Sequence, residues 1–138
     1  MGGRKLVPLV LDTCAWLWYC AEPKKLSRVA KEAIQREKVR AGLIVSVISC
    51  WEIAKLVQKG KLKFSIPCRE WVDSALQTEG IALHALTPEI AVESTELPGS
   101  FGGDPADQII VATARALGVA VLTKDRKILD YPHVPSLW

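Results

Sequence analysis

The feature that most constrains the fold is a short apolar run, residues 6–11, that ends directly at the acidic residue Asp12. A continuous run of this length is typical of a strand that is covered on both faces, as in a parallel sheet. We therefore predict that it forms the central strand. Further runs of strand length follow at residues 43–47, 81–86 and 119–123, and residues 134–138 can add a short edge strand.

Helical patterns separate these apolar runs. They cover residues 13–21, 49–57, 69–79, 87–97 and 104–117. One more helix is predicted to begin after Ser27, which can serve as its N-cap, and to end before Gly42. Strands that alternate with helices predict an α/β protein, with a parallel sheet between two layers of helices. The third helix is predicted to start at Ser49, because Ser49 and Glu52 have the spacing of a capping box.

Four acidic residues follow the ends of predicted connections or strands, and they are Asp12, Glu52, Asp107 and Asp125. Because the carboxyl ends of parallel strands meet at one edge of a sheet, we expect these side chains to converge there. Carboxylates a few ångströms apart cannot all stay ionised without a bound proton or a cation. The four acids are therefore predicted to be the catalytic and metal-binding residues.

Each acid also has a simpler interpretation. Glu52 is explained as the third residue of a capping box, and Asp104 and Asp107 are explained as the cap and first turn of a helix that starts with Pro105. Asp125 is explained by a surface ion pair with its neighbour Lys124. One at a time, these explanations suffice. Together they require four coincidences at one edge of the sheet.

A site built from carboxylates favours a hard cation, Mg²⁺ or Mn²⁺. Zinc is not expected, because the four cysteines form no CxxC pair and lie far in sequence from His84 and His133. No serine, cysteine or histidine is placed as a nucleophile, so water is the expected attacking group. Supporting positions are assigned to Thr13, expected to hold Asp12 by a side-chain hydrogen bond, and to Asp104 and Thr123.

Size and composition predict one globular domain over residues 1–138, since 138 residues at 49% hydrophobic content can bury a single core. No apolar run reaches the ~20 residues of a membrane span. The N-terminus also lacks the apolar segment of a secretory signal. The sequence thus predicts a soluble cytoplasmic protein that does not associate with membranes.

The charge is unevenly distributed although the formal net charge is only +3. Residues 1–69 contain 14 Lys and Arg against 5 Asp and Glu, and residues 70–138 contain 4 against 10. A polyanion could lie on the basic half and reach the acidic cluster of the other half. The alternative is that these lysines are simply the solvated faces of helices.

Several segments together resemble PIN-domain proteins, and specifically ribonuclease toxins of the VapC type from toxin–antitoxin pairs. The segments are residues 9–13 (LVLDT), 46–54 (SVISCWEIA), 60–62 (GKL), 104–114 (DPADQIIVATA), 122–125 (LTKD) and the closing Trp138. The resemblance places the acidic quartet of the family on Asp12, Glu52, Asp107 and Asp125, and Asp104 belongs to the Asp-Pro-x-Asp variant of the motif.

The resemblance implies an α/β/α sandwich with a parallel sheet ordered 3-2-1-4-5 and Mg²⁺-dependent cleavage of single-stranded RNA. It also implies a homodimer and a small antitoxin protein as partners. Trp16, Trp18 and Trp71 have two interpretations, since a tryptophan can belong to the core or line a groove for a partner.

Two other functions compete with this interpretation. A phosphotransfer domain of haloacid-dehalogenase type also has an aspartate after its first strand, but it needs a second aspartate where this chain has Cys14. A PIN domain that binds RNA without cutting it is the other alternative, and the intact acids argue against it.

Overall fold

The computed structural model describes residues 7–138 and contains a five-stranded parallel sheet in the order β3-β2-β1-β4-β5. The predicted fold class and strand order are confirmed. The strands are β1 (Leu9–Leu11), β2 (Leu43–Ser46), β3 (Ile81–His84), β4 (Val121–Leu122) and β5 (Ser136–Leu137). Each is shorter than its apolar run. Leu6, the first residue of the predicted first strand, lies outside the described residues.

Seven α-helices connect these strands within residues 7–138. They are α1 (Thr13–Ala21), α2 (Arg28–Glu37), α3 (Val47–Gln58), α4 (Cys68–Leu76), α5 (Pro88–Glu93), α6 (Pro105–Leu117) and α7 (Arg126–Leu129). Only α7 and a 3₁₀ helix at Pro23–Lys25 were not predicted, because segments of three or four residues show no helical periodicity. No helix in residues 7–138 is long and apolar enough to cross a membrane.

The alternation of side chains along β1 divides the core into two layers. Leu9 and Leu11 pack on one face of the sheet, against a cluster that includes Trp16 of α1, Ile34 of α2 and Ile53 of α3. Val10 points to the other face and joins a cluster with Ile110 and Val111 of α6. Because successive residues of a strand face opposite sides, three consecutive apolar residues serve both helical layers.

The pairing of β1 with two neighbours places Asp12 at the middle of the sheet edge. Leu11 lies opposite Val45 of β2 on one side and Leu122 of β4 on the other. The next residue along each strand therefore emerges at the same edge. Asp12 follows β1, α3 follows β2, and Thr123 follows β4.

The predicted capping box at Ser49 is wrong. Helix α3 starts two residues earlier, at Val47, and its N-cap is Ser46, whose hydroxyl accepts from the backbone N–H of Ile48 at 3.2 Å. Ser49 is instead fully buried inside the helix. Because β2 ends at Ser46, the first available serine caps the helix, and Glu52 is left without a capping role.

Gly80 fixes the connection between α4 and the edge strand β3, and its replacement by alanine is expected to destabilise the protein. Its φ of +83° is in the left-handed region, and an added Cβ would lie 2.7 Å from Lys38 Cβ and 2.8 Å from Lys38 Cα. Gly60, with φ +73° and no atom within 4 Å of an added Cβ, is the matched control. We expect Gly80→Ala to lower the free energy of unfolding in urea by about 1–3 kcal/mol more than Gly60→Ala, because only Gly80 adds a backbone overlap. Equal losses would contradict the close approach of Gly80 to Lys38.

Candidate active site

A cleft of about 490 Å³ lies at the carboxyl edge of the sheet. It brings together all four acids of the predicted quartet, together with Thr13 and Asp104. The lining residues are Asp12, Thr13, Cys14, Leu17, Glu52, Leu56, Asp104, Asp107, Lys124 and Asp125. Thr123 is fully buried and contacts the cleft through Asp12. Five carboxylates and a single basic side chain therefore share one concave surface.

A larger groove of about 750 Å³ lies between α5 and α6 and contains none of the predicted residues. Its charged residues are Glu89 and Glu93, one turn apart on α5, and Arg115 on α6. The smaller cleft differs because its acids come from four separate parts of the chain. Such convergence is what a chemical site requires.

Asp12 is held from two sides. It is the N-cap of α1, where its Oδ1 accepts from the backbone N–H of Ala15 at 2.8 Å, and its Oδ2 accepts from the hydroxyl of Thr123 at 2.5 Å. Only 7% of the residue is exposed. Burial raises the pKa of Asp12 above its usual value, the bonds from Thr123 and Ala15 lower it, and the nearby Asp125 raises it. The Asp12 side chain is thus fixed in orientation, and no basic side chain of residues 7–138 pairs with its carboxylate.

Thr123 links two of the acids. Its hydroxyl donates to Asp12 and its Oγ1 accepts from the backbone N–H of Asp125 at 3.0 Å. Asp125 in turn caps α7 by accepting from the N–H of Lys127 at 2.9 Å. The position of the Asp12 carboxylate therefore depends on the loop that carries Asp125.

The prediction that Thr13 holds Asp12 is wrong. Thr13 Oγ1 lies 2.8 Å from Ser49 Oγ and donates to the carboxylate of Glu52, so it orients a different acid. The reason is that Thr13 is the first residue of α1 and faces α3, whereas Asp12 is reached from β4. Burial raises the pKa of Glu52, the Thr13 hydrogen bond lowers it, and Asp104 and Asp12 raise it.

Asp104 and Asp107 belong to the first turn of α6. Asp104 is its N-cap and accepts from the backbone N–H of Asp107 at 2.9 Å, so the simple capping explanation holds for Asp104. It does not account for the Asp107 side chain. Burial, and then the neighbouring carboxylates of Asp104, Asp125 and Glu52, raise the pKa of Asp107 to about 7.

The ion-pair explanation of Asp125 is wrong. Lys124 makes no ion pair with Asp125, and its ammonium lies 5.5 Å from the ring centroid of Trp18. In the part of the chain that the structure describes, none of the five cleft acids pairs with a lysine or arginine within 4.0 Å. Their charge is therefore not balanced by the protein's own basic groups.

The carboxylates of the cleft suit a magnesium-like ion, although they do not form a complete coordination shell by themselves. Among residues 7–138, no three His, Cys, Asp or Glu side chains gather tightly enough to form a complete metal-binding group. Mg²⁺ is usually held by one or two carboxylates while it keeps several waters. A cleft bordered by carboxylates with raised pKa values meets that requirement, and the ligand role of each acid stays a prediction.

Sequence reasoning missed several residues of the cleft. Leu17 and Leu56 follow Thr13 and Glu52 by four positions on their helices, and this spacing could have indicated them. Cys14 also lines the cleft, but burial and the charge of Asp12 raise its pKa to about 11, so its thiol is not a nucleophile near neutral pH. The contact of Ser49 with Thr13 had no signal in the sequence.

The chain belongs to the PIN-domain family, whose model matches residues 9–134. It is 34% identical over 128 residues to a protein named Ribonuclease VapC22 from Mycobacterium tuberculosis, a comparison that covers 93% of this chain and 95% of that protein. The resemblance inferred from the sequence motifs is confirmed. Membership of this family removes the haloacid-dehalogenase alternative.

Solved structures agree with this fold at low sequence identity. VapBC2 from Rickettsia felis, bound to a DNA fragment from its promoter, matches with a TM-score of 0.71 at 15% identity and covers 95% of this chain and 98% of its own. FitAcB from Neisseria gonorrhoeae matches with a TM-score of 0.61 at 16% identity, and the match covers 94% of this chain and 96% of that one. These matches show the PIN fold.

The raised pKa of Asp107 predicts how stability varies with pH in metal-free protein. Between its usual value of 3.8 and about 7, the folded protein retains a proton that the unfolded chain has released, so this group lowers stability as pH rises through that window. Asp107→Asn removes the ionisation, and we expect it to raise Tm relative to wild type at pH 8 in EDTA, with the gain disappearing near pH 4.

Thermal melts across this pH range, with the exposed Asp73→Asn as control, provide the measurement. A gain that is the same at pH 4 and pH 8, or no gain at all, would mean that Asp107 is not crowded by neighbouring carboxylates.

Proposed function

We propose that this protein is an endoribonuclease that uses Mg²⁺ or Mn²⁺ to hydrolyse phosphodiester bonds of single-stranded RNA, with water as the attacking group. The observation that carries the proposal is the cleft in which Asp12, Glu52, Asp107 and Asp125 lie without a basic partner. Such a cleft suits a divalent cation, which offsets part of the carboxylate charge and can then bind a phosphate oxygen. The relative named Ribonuclease VapC22 supports the same activity.

The chain's own residues divide the work in the proposed reaction. Asp12 and Asp107 are assigned as the principal metal ligands, and Glu52 and Asp125 complete the set. When bound, the ion supplies a lowered pKa for a coordinated water and neutralises charge that develops on the phosphate. Thr123 fixes the orientation of Asp12, Thr13 fixes that of Glu52, and Asp104 holds the first turn of α6 that carries Asp107.

The proposal extends to a role as the toxin of a toxin–antitoxin pair. Several proteins of the same fold come from such pairs, among them a toxin–antitoxin complex from Klebsiella pneumoniae with a TM-score of 0.62. A small antitoxin protein is accordingly the proposed inhibitor, and a homodimer is the proposed assembly. We also propose one PIN-like domain over residues 1–138, and the match of the family model to residues 9–134 supports it.

Cleavage of RNA by the purified protein tests the activity directly. Protein freed of any bound antitoxin by unfolding and refolding is expected to cut single-stranded RNA with Mg²⁺ or Mn²⁺ and to stop when EDTA is added. Asp12→Asn and Asp107→Asn should each lower the rate by more than about 100-fold, since loss of a ligand exceeds the 10–100-fold loss typical of supporting residues. Asp73→Asn is the control.

Activity that persists in both aspartate variants would assign the cleavage to a contaminating nuclease. RNA binding without cleavage by the wild-type protein would favour the alternative of a PIN domain that does not turn over its substrate.

Thr123→Val tests whether Asp12 must be held from β4. The change removes the hydroxyl that donates to Asp12 and keeps the shape of the side chain. We expect a 10–100-fold loss of activity and a higher Mg²⁺ requirement, because Asp12 loses a bond that favours its ionised form. Thr95→Val, at an exposed threonine that does not line the cleft, is the control. Unchanged activity in folded Thr123→Val would show that Asp12 does not need this bond.

A further inference from the structure

Two tryptophans and two lysines form a cluster beside the acidic cleft. The ammonium groups of Lys25 and Lys124 lie 5.7 Å and 5.5 Å from the ring centroid of Trp18. The ring of Trp138 lies 5.8 Å from that of Trp18, at an interplanar angle of 58°. Both indoles are half-buried and both lysines are exposed, so the cluster has a packed base and a charged outer surface. We call these four residues the tryptophan–lysine cluster.

The cluster adjoins the cleft through the elements that carry the acids. Lys124, between Thr123 and Asp125, is the single basic residue of the cleft lining, and Leu17, the neighbour of Trp18, lines it too. The backbone N–H of Thr123 donates to the carbonyl of Leu137 at 3.1 Å, which ties the last residues of the chain to β4. Trp18 follows Asp12 by six residues on α1, about 9 Å along the helix axis. A short single strand can span that distance.

The charge of the cleft favours an entry point of this kind. Five carboxylates repel a phosphodiester, and the attraction of a bound cation is short-ranged in salt. Lysines at the rim supply attraction where the strand arrives. Indole rings add stacking with bases, which is tolerant of sequence because every base has a π-face.

We propose that the tryptophan–lysine cluster is the docking point that positions the RNA strand next to the bond to be cut, with Lys25 and Lys124 on flanking phosphates and the indoles of Trp18 and Trp138 stacking an unpaired base. This inference rests on the proposed ribonuclease function and adds to it the residues that hold the substrate. They are positioning residues, since neither lysine pairs with a cleft acid within 4.0 Å and the indoles pack beside the cleft.

The contacts of the lysines suit this role. Each ammonium is held over an indole by a cation–π interaction, which restricts the side chain without neutralising its charge. Lys25 also pairs with Glu22 at 3.1 Å, but both partners are about half exposed, and such a surface pair is weak enough for a phosphate to replace it. Phosphate binding then draws the ammonium away from Trp18 and leaves an indole face for a base.

A second tryptophan–lysine pair on α3 provides the matched control. Trp51 is 56% exposed, with the ammonium of Lys55 at 5.9 Å from its ring centroid. The two residues line a separate small cavity with Ala54 and Gln58 and share no lining residue with the cleft. Trp51→Ala and Lys55→Gln therefore remove the same chemistry from a different place.

The stacking step is tested by binding of two oligomers to Asp107→Asn protein, in which cleavage is suppressed. One is a fluorescein-labelled octamer of uridine, and the other has the same ribose-phosphate backbone without bases. We expect Trp18→Ala and Trp138→Ala to lower the preference for the base-containing oligomer by about tenfold, and Trp51→Ala to leave it unchanged. The preference is a ratio measured on one sample, so partial unfolding of a variant does not alter it. Trp18→Phe, which keeps a ring, should retain most of it.

The phosphate contacts are tested by the salt dependence of binding to the uridine octamer. Lys25→Gln and Lys124→Gln should each reduce the slope of log K against log salt by about 0.7, the value for one phosphate contact on a single strand. Lys55→Gln should leave the slope unchanged. In the otherwise wild-type enzyme, the cluster variants should raise KM for RNA several-fold with kcat nearly constant, as expected for residues that bind substrate and transition state equally.

The outcomes separate this inference from the proposed function. If wild-type protein cuts RNA but the cluster variants keep the base preference, the salt slope and KM, the docking point is overturned and the ribonuclease stands. If the variants lose binding of an antitoxin protein and keep RNA binding, the cluster is a protein-docking surface and the inference is also overturned. If wild-type protein neither binds nor cuts RNA, the proposed function fails and the docking point fails with it.

Discussion

The structure depends on the placement of Asp12 at the end of the central strand. A buried carboxylate is costly, and here the cost is reduced by two hydrogen bonds, one from the first turn of α1 and one from Thr123. A helix cap of this kind contributes about 0.5–2 kcal/mol to stability. The same contacts that stabilise the start of α1 also fix a carboxylate in the cleft, so the fold and the site share one arrangement.

Two of the other cleft acids repeat this arrangement. Asp104 and Asp125 are also N-caps, of α6 and α7, and Asp107 lies in the first turn of α6. Parallel strands followed by helices bring several helix starts to one edge, and helix starts favour acidic residues. Burial is the main cause of the raised pKa values of Asp12, Glu52 and Asp107, and neighbouring carboxylates raise them further. Under the proposed function, a divalent cation from solution balances part of this charge.

Lys124, the basic residue of the cleft lining, contacts an aromatic ring and forms no ion pair with a neighbouring carboxylate. Lys124 stands between two site residues in the sequence and yet lies over an indole. Trp18 therefore packs against the core and also contacts the ammonium of Lys124, and Trp138 packs against the core beside it. Trp16 is fully buried in the core, and Trp71, whose ring lies 5.6 Å from that of Trp16, is partly buried against it, as Trp18 is. A groove for a partner at these tryptophans stays a prediction.

The sequence by itself determined the α/β class, the order of helices and strands, and most helix starts, because apolar periodicity and capping residues such as Ser27, Thr87 and Asp104 act locally. It also indicated the four acids, since each follows a connection at the strand ends, while the strand order came from resemblance to a family. Only the tertiary structure decided which hydroxyl donates to which acid. It also decided that α3 starts at Val47 with Ser46 as its N-cap, and that the ammonium of Lys124 lies over Trp18. The physical reason is distance along the chain: Thr123 and Asp12 are 111 residues apart, and Thr13 and Glu52 are 39 apart. Contacts of that separation exist only once β1, β2 and β4 have paired, and no local pattern of residues encodes them.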